Sequence, residues 1–279
     1  MQSNFLSYYS RSDVQNGIYG NCKDKERAVQ LGDRGFAKRP NIIQYSGDVL
    51  DFARDGGTSF HISEEMWKDP MSLEPGMPKK KLDSFRSGWD LVLDIDSPDL
   101  EDSKIIGYYL IEALKFHDVK SIFVKYSGNK GFHIVVPFES FPVEVNGVFI
   151  KDQVPEGPKI ITEYLISMVK KPLLEKFEER TEDVLKIDTI LISSRHMYRA
   201  PYSLHEKSGL VSLPINPDKI LDFDKSFANP DTVKFDVGFL ENRGGIVERD
   251  ASQLMMQAFD WHTKKKRIKV KLILKKLCI

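Results

Sequence analysis

Trp89-Asp90-Leu91-Val92-Leu93-Asp94-Ile95-Asp96-Ser97-Pro98 is the stretch on which the reading of this chain turns. An apolar run that ends in two acids and a Ser-Pro turn predicts a buried strand with paired carboxylates at its end. Burying a charge without a partner costs several kcal/mol, roughly, so two acids in such a run need a reason to be there. Side chains two apart on a strand share a face, so Asp94 and Asp96 point the same way and repel each other unless a cation sits between them. Hard divalent ions such as Mg²⁺ take oxygen sites of this kind and complete them with substrate phosphates. A strand-end turn with two solvated acids is the plainer alternative, and the rest of the chain has to choose.

Outward from this strand the pattern is regular. Ile105 to Phe116 has helical periodicity, Ser121 to Tyr126 predicts a strand, Ser127 to Gly131 a turn, and Phe132 to Phe138 another strand. Upstream, residues 1 to 20 read as two helical pieces, 27 to 39 alternate irregularly, and Asn41 to Ala53 read as a short strand and then a helix. Thr58 to Ile62 is strand-like, and 69 to 82, with three prolines and Lys79-Lys80-Lys81, reads as a loop. Downstream, 157 to 180 predicts a long amphipathic helix, Val184 to Ile192 a strand interrupted by Asp188, and Val211 to Ile215 a short strand. Residues 217 to 249 are loop-rich, and Ala251 to His262 predict a terminal helix. With no repeat and no Gly-Ser linker, the expectation is one mixed α/β body over 1–249 and a C-terminal helix with a basic tail over 250–279.

Three further stretches carry chemistry. Ser127-Gly128-Asn129-Lys130-Gly131-Phe132-His133 places two glycines between strands, where the backbone can turn sharply and present N–H groups to an anion. It lacks the spacing of the nucleoside-triphosphate P-loop. A strand histidine is by habit a core residue, but behind this turn His133 reads as a phosphate contact. Asp188 is a single acid in the apolar run Ile187 to Ile192, either exposed at a bulge or a third ligand beside Asp94 and Asp96. Arg199-Ala200-Pro201-Tyr202-Ser203-Leu204-His205-Glu206-Lys207-Ser208-Gly209 crowds basic side chains into a turn, suited to phosphate oxygens or simply solvated.

Taken in order, Leu93-Asp94-Ile95-Asp96, Ser127 to His133, Ile187-Asp188 and Arg199 to Gly209 resemble the motifs of the catalytic (small) subunit of archaeal and eukaryotic DNA primases. The resemblance spans roughly residues 5 to 225 and is strongest from 88 to 215. It implies a primase-polymerase fold of the α/β (α+β) class, an RRM-like antiparallel sheet packed on a second α/β unit. It implies a DNA-directed nucleotidyltransferase that makes short primers on single-stranded DNA from NTPs or dNTPs. Asp94, Asp96 and Asp188 would bind two divalent ions, Mg²⁺ or Mn²⁺. Ser127, Lys130, His133, Arg199, His205 and Lys207 would hold the nucleotide's phosphates. Tyr8-Tyr9-Ser10-Arg11 and Lys38-Arg39 resemble positions near template or nucleotide, and a primase large subunit is the implied partner. Asn129 stands where many relatives carry a second Arg, which implies one weaker phosphate contact.

The family's Cys/His zinc module has no counterpart, since no cysteine lies between Cys22 and Cys278. The expectation is therefore a zinc-free, divergent form. Three alternatives stay open at this point: a non-catalytic nucleotide- or single-strand-binding module of the same fold, a repair-type primase-polymerase, and a metal nuclease. The nuclease has no need of the glycine turn or the basic loop.

Bulk properties set the limits. Equal numbers of basic and acidic residues give a net charge of zero, yet Lys264 to Ile279 hold eight Lys or Arg and no acid, leaving −8 on residues 1 to 263. Such a tail suits an anionic partner. Its alternating Ile268, Val270, Leu272 and Leu274 predict a strand instead. No apolar run of membrane-spanning length occurs, the N-terminus has no signal-peptide layout, and two distant cysteines suit a reducing compartment, so the expected location is cytoplasmic.

Overall fold

A computed structural model describes residues 2–145, 147–177 and 195–277. The first half runs α1 (Gln2–Tyr9), α2 (Ser12–Gly20), β1 (Lys25–Gln30), α3 (Asp48–Arg54), β2 (Ser59–Trp67), α4 (Lys79–Phe85), β3 (Arg86–Trp89) and β4 (Leu91–Ile95). Then follow α5 (Leu100–Phe116), β5 (Phe123–Tyr126), β6 (Phe132–Val136), a small hairpin of β7 (Glu144–Val145) and β8 (Val148–Phe149), and α6 (Glu156–Phe177). β9 (Met197–Arg199), β10 (Pro214–Ile215) and α7 (Ser252–Leu277) complete the chain, with short 3-10 turns in the loop-rich stretch between the last two.

Two antiparallel sheets meet at the opening stretch. In one, β1 pairs with β2, which also pairs with β9 at His61–Ser63 and with β3 at Glu65–Trp67. The other has the order β10-β5-β6-β4. β4 and β5 both lie antiparallel to β6 and flank it, so β4-α5-β5 is a split β-α-β unit around β6. Asp90 is the single residue between β3 and β4, so the chain changes sheets there without a loop. That switch carries the end of β4 into the space between the two sheets.

Local chemistry explains the elements that matter most. After Ser97-Pro98, Asp99 caps α5 by accepting from the Glu101 N–H at 2.7 Å, and Glu101 and Asp102 place negative charge at the helix's positive end. Ile106, Leu110, Ile111 and Leu114 of α5 are buried with Ile161, Leu165, Val169 and Leu173 of α6 and with Leu254, Met255 and Ala258 of α7. Each of these side chains larger than alanine contributes about 1.5–3 kcal/mol when taken out of water. All of β6 is buried, as a central strand covered on both faces should be.

Several expectations change. Residues 27 to 39 read as irregular alternation, yet the stretch begins inside β1, which opens with Lys25, Glu26 and Arg27 all buried. Asp90 explains part of this, because it binds Lys25 at 2.9 Å and Arg243 at 2.8 Å. Glu26 accepts from Arg39 at 2.9 and 3.0 Å and from Arg195 at 3.0 Å. Residues 41 to 44 form no strand, and the 69–82 stretch holds a 3-10 turn (Pro70–Ser72) and most of α4. Only Pro214–Ile215 of the 211–215 stretch is strand, although Val211 makes a bridge to Leu204. The basic tail is helix rather than strand: α7 runs to Leu277, because Lys, Arg, Leu and Ile in this mix hold helical geometry without a sheet edge to pair with. The strand expected at 184–192 lies outside the described residues. No helix is long and apolar enough to cross a membrane among the described residues.

Candidate active site

The end of β4, the β5–β6 turn, β2, β9 and the loop after β9 converge on one cavity of about 220 Å³. His61, Asp94, Asp96, Ser127, Asn129, His133, Tyr198, Arg199 and His205 are on its wall. Six of the nine site residues read from the sequence are therefore brought together. Lys130 is exposed on the turn and Lys207 is exposed beside two neighbouring cavities of about 650 and 450 Å³; neither lines the central one. Asp188 lies outside the described residues.

The acid side is built by sheet register. Asp94 pairs with His133 across β4 and β6, and His133 Nε2 lies 3.3 Å from Asp94 Oδ1. Burial pushes the Asp94 carboxyl up, but His133 and the more distant Lys125 outweigh it and hold the group below the ordinary carboxylate range. Asp94 is about one-third exposed, at 34% of its side chain, and Asp96, one residue past the strand, is exposed at the mouth. Among the described residues no three His, Cys, Asp or Glu side chains surround a common point. Two carboxylates at the mouth of the cavity still fit a hard divalent ion that takes its other oxygens from phosphate and water.

The opposite wall is made of donors. Gly128, at φ +98°, lets the turn fold back, and a side chain there would meet the Cβ of His205. Ser127 N donates to Gly131 O at 2.9 Å, while Ser127 Oγ accepts from the N–H groups of Gly131 and Asn129 at 3.2 and 3.4 Å. The Ser127 hydroxyl hydrogen can then be given to a ligand. His205 Nδ1 accepts from the backbone N–H groups of Lys207 and Ser208, both at 3.2 Å, which puts the proton of a neutral ring on Nε2. Burial and the Arg199 charge keep that ring neutral, its pKa pushed down to about 4. His133 is likewise pushed down to about 4 by burial and by Lys125.

Arg199 is tied on three sides. Its Nε donates to Ser127 O at 3.1 Å, its Nη1 to Leu204 O at 3.3 Å, and the same Nη1 pairs with Glu206 at 2.8 Å. Burial raises the Glu206 carboxyl, but Arg199 prevails and holds it at about 2. Sequence reading passed over Glu206, which gives the Arg199 guanidinium a carboxylate partner beside the cavity.

Three more wall residues escaped the sequence reading: His61, Tyr198 and, behind the wall, Lys125. His61 pairs with Arg199 across β2 and β9, and burial and Arg199 keep its pKa well below the ordinary histidine value. Lys125 is a lone cation in the apolar β5, the same signal that marked Asp188, and it was legible on that ground. Tyr8, Tyr9 and Arg39 are internal braces. Tyr8 donates to Tyr202 O at 2.7 Å, Tyr9 donates to Thr58 O and accepts from Leu204 N, both at 3.0 Å, and Arg39 is bound to Glu26.

Against this geometry the likenesses to known proteins fall into place. The family model for the DNA primase small subunit matches residues 93–217, a stretch that contains the wall residues named above except His61. The polymerase domain of Mycobacterium tuberculosis Ligase D, solved in complex with DNA, superposes with a TM-score of 0.56 at 16% identity, covering 85% of this chain and 86% of that one. The primase-polymerase domain of cyanophage S-2L aligns at 15% identity over 80% of this chain and 97% of that one, with a TM-score of 0.40. An uncharacterized protein of Methanocaldococcus jannaschii is 28% identical over 200 residues, which are 70% of this chain and 43% of that protein. The chain thus spans less than half the length of that relative. The fold is similar to that of the Ligase D polymerase domain.

Proposed function

From the match of residues 93–217 to the family model for the DNA primase small subunit, we propose that this chain is a template-directed nucleotidyltransferase that joins NTPs or dNTPs into primers on single-stranded DNA. The observation that carries the reading is the single cavity with Asp94 and Asp96 on one side and Ser127, Arg199 and His205 on the other. A triphosphate fits between a carboxylate wall and a donor wall, and little else needs both.

Asp94 and Asp96 would hold Mg²⁺ or Mn²⁺, with Asp188 as the third ligand. Bound there, divalent ions supply an acidified 3′-hydroxyl and charge neutralisation at the phosphates. The protein's own part is positioning and electrostatics. Ser127 Oγ–H, His205 Nε2–H and the Arg199 guanidinium donate to phosphate oxygens, and His133 Nε2–H donates between Asp94 and the incoming nucleotide. Lys130 and Lys207, at the rim, draw anions toward the cavity through space. The template strand would be held chiefly through its backbone, as sequence-tolerant single-strand binding is. In the proposed organisation 1–249 form the catalytic unit and 250–279 an appended helix with a basic end.

The test is to offer the full chain a primed single-stranded template with NTPs or dNTPs and Mg²⁺ or Mn²⁺. Template-dependent extension that disappears in Asp94→Ala and in Asp188→Ala, with both variants folded, is the expected result. Nucleotide binding without any extension under either metal would instead identify a binding module, and would end the enzyme reading.

A further inference from the structure

Lys125 is wholly buried, which a lysine almost never is without dedicated partners. Its partners are specific. Nζ lies 2.8 Å from Ser212 Oγ, 2.6 Å from His133 Nδ1, and 5.4 Å from the centre of the Tyr198 ring. Register puts the group in line: Lys125 pairs with His133 across β5 and β6, and His133 pairs with Asp94 across β6 and β4. Three polar side chains therefore stand in one row across an otherwise apolar sheet.

The directions of the hydrogen bonds follow from the neighbours. Ser212 Oγ donates to Tyr126 O at 3.0 Å, so its oxygen accepts from Lys125. Burial and the Arg199 charge pull the Lys125 pKa well below the ordinary lysine value, and the Asp94 carboxylate pulls it back; held as an ammonium over the Tyr198 ring, Nζ has donors only, so the nitrogen of His133 that faces it has to accept. A neutral imidazole has one donor and one acceptor, and with Nδ1 accepting, the proton sits on Nε2. Nε2 is the atom that points at Asp94 and the cavity.

We infer that Lys125 is a positioning residue: as an ammonium it locks His133 in the Nε2–H tautomer, so that the ring presents a donor to the cavity. Histidine left to itself exchanges its proton between the two nitrogens, and an Nδ1–H ring would show a lone pair to a phosphate oxygen. Lys125, anchored through Ser212 to the backbone of β5, removes that alternative without touching the ligand. His205 obtains the same tautomer from two backbone N–H groups, so both histidines of the site face inward as Nε2–H donors. The benefit to a bound triphosphate rests on the function proposed above; the tautomer does not.

Long-range ¹H–¹⁵N correlation spectra of the ¹⁵N-labelled full chain at neutral pH read the tautomer directly, with the His133 signals assigned by their loss in His133→Gln. Wild type is expected to show a bare Nδ1 and a protonated Nε2. Lys125→Met keeps the apolar stem and removes the donors; its His133 is expected to populate both tautomers, and its kcat/KM for extension to fall about 10- to 100-fold, as for one lost hydrogen bond to a charged group. Lys125→Gln, which restores an N–H donor, is expected to recover the Nε2–H signature in part. A proton on Nδ1 in wild type overturns the inference whether or not any variant folds. So does a folded Lys125→Met that keeps both the tautomer and the rate. Wild-type Nε2–H in a protein that extends no primer supports the tautomer lock and removes the proposed function alone.

Discussion

Gly131→Ala tests whether the turn and the acid-bearing strand are set by one close approach. Gly131 lies against the end of β4, where a side chain would be driven into the carbonyl oxygen of Ile95, 3.0 Å from its carbonyl carbon and 3.4 Å from the Asp96 Cα. All of these are backbone atoms, so no flexible side chain can give way. To restore ordinary contact the Ile95–Asp96 peptide has to move by on the order of 1 Å relative to the turn. The added methyl should cost about 1–3 kcal/mol as overpacking. That lowers Tm by roughly 2–10 °C in a chain of this size. The larger effect should fall on activity. The moved segment carries Asp94 and Asp96, and the turn it presses on holds Ser127, whose Oγ accepts from Gly131 N at 3.2 Å. A misplacement of about 1 Å between reacting groups costs about 100-fold in rate. Primer extension at saturating nucleotide, read beside thermal unfolding, measures both. Gly47→Ala is the control, because nothing lies within 4 Å of its added methyl. Gly131→Ala with the melting temperature and extension rate of wild type would refute the reasoning, since the approach would then be slack.

Other perturbations reach different parts of the account. Glu206→Gln should lower the KM for nucleotide roughly two- to fivefold at low salt, because a triphosphate no longer competes with a carboxylate for Arg199; a raised KM would mean that Glu206 orients the guanidinium instead. Asp90→Asn leaves Lys25 and Arg243 facing a neutral group in a buried place and should destabilise by about 3–5 kcal/mol, read as a fall in the denaturation midpoint. His61 and His205 stay neutral in the fold below the pH at which an unfolded imidazole, near 6.5, takes up its proton. Their contribution is fully present above pH 6.5, and stability should decline as pH falls from there toward about 4, where His205 itself titrates. Urea midpoints across that range check it, and His205→Gln should make the decline shallower; an unchanged slope would remove His205 from the explanation.

What the sequence shows of this fold follows from where the energy is hydrophobic. β4, α5, β5, β6 and α6 have apolar patterns because they bury apolar faces, and each is found within a few residues of its expected bounds. β1 and the far half of β2 hide for the opposite reason. Lys25, Glu26, Arg27, Glu64 and Glu65 are buried, and what admits them is largely pairing with Asp90, Arg39, Arg195, His196 and Arg86, partners 13 to 169 residues away that no local pattern can reveal. The candidate site divides in the same way. Asp94 and the glycine turn stand out because acids and glycines are conspicuous in apolar strands. His61, Tyr198 and Glu206 are ordinary in their local settings and become site residues only when β2 and β9 pair. Lys130 and Lys207 fit the motifs, yet they are exposed and do not line the cavity, which motif spacing alone cannot show. The tail misled through its alternation: Ile268, Val270, Leu272 and Leu274 satisfy a strand period, while α7 continues straight through them.

The central claim is that one cavity, walled by Asp94 and Asp96 and by Ser127, Arg199 and His205, takes a metal-bound triphosphate. A crystal structure of the full chain with Mn²⁺ and a non-hydrolysable nucleoside triphosphate tests it most directly. The account predicts anomalous Mn²⁺ density on the Asp94 and Asp96 carboxylates, with the phosphates on Ser127, Arg199 and the Nε2 atoms of His133 and His205. A triphosphate seated in one of the neighbouring cavities, with no metal at Asp94, would contradict it.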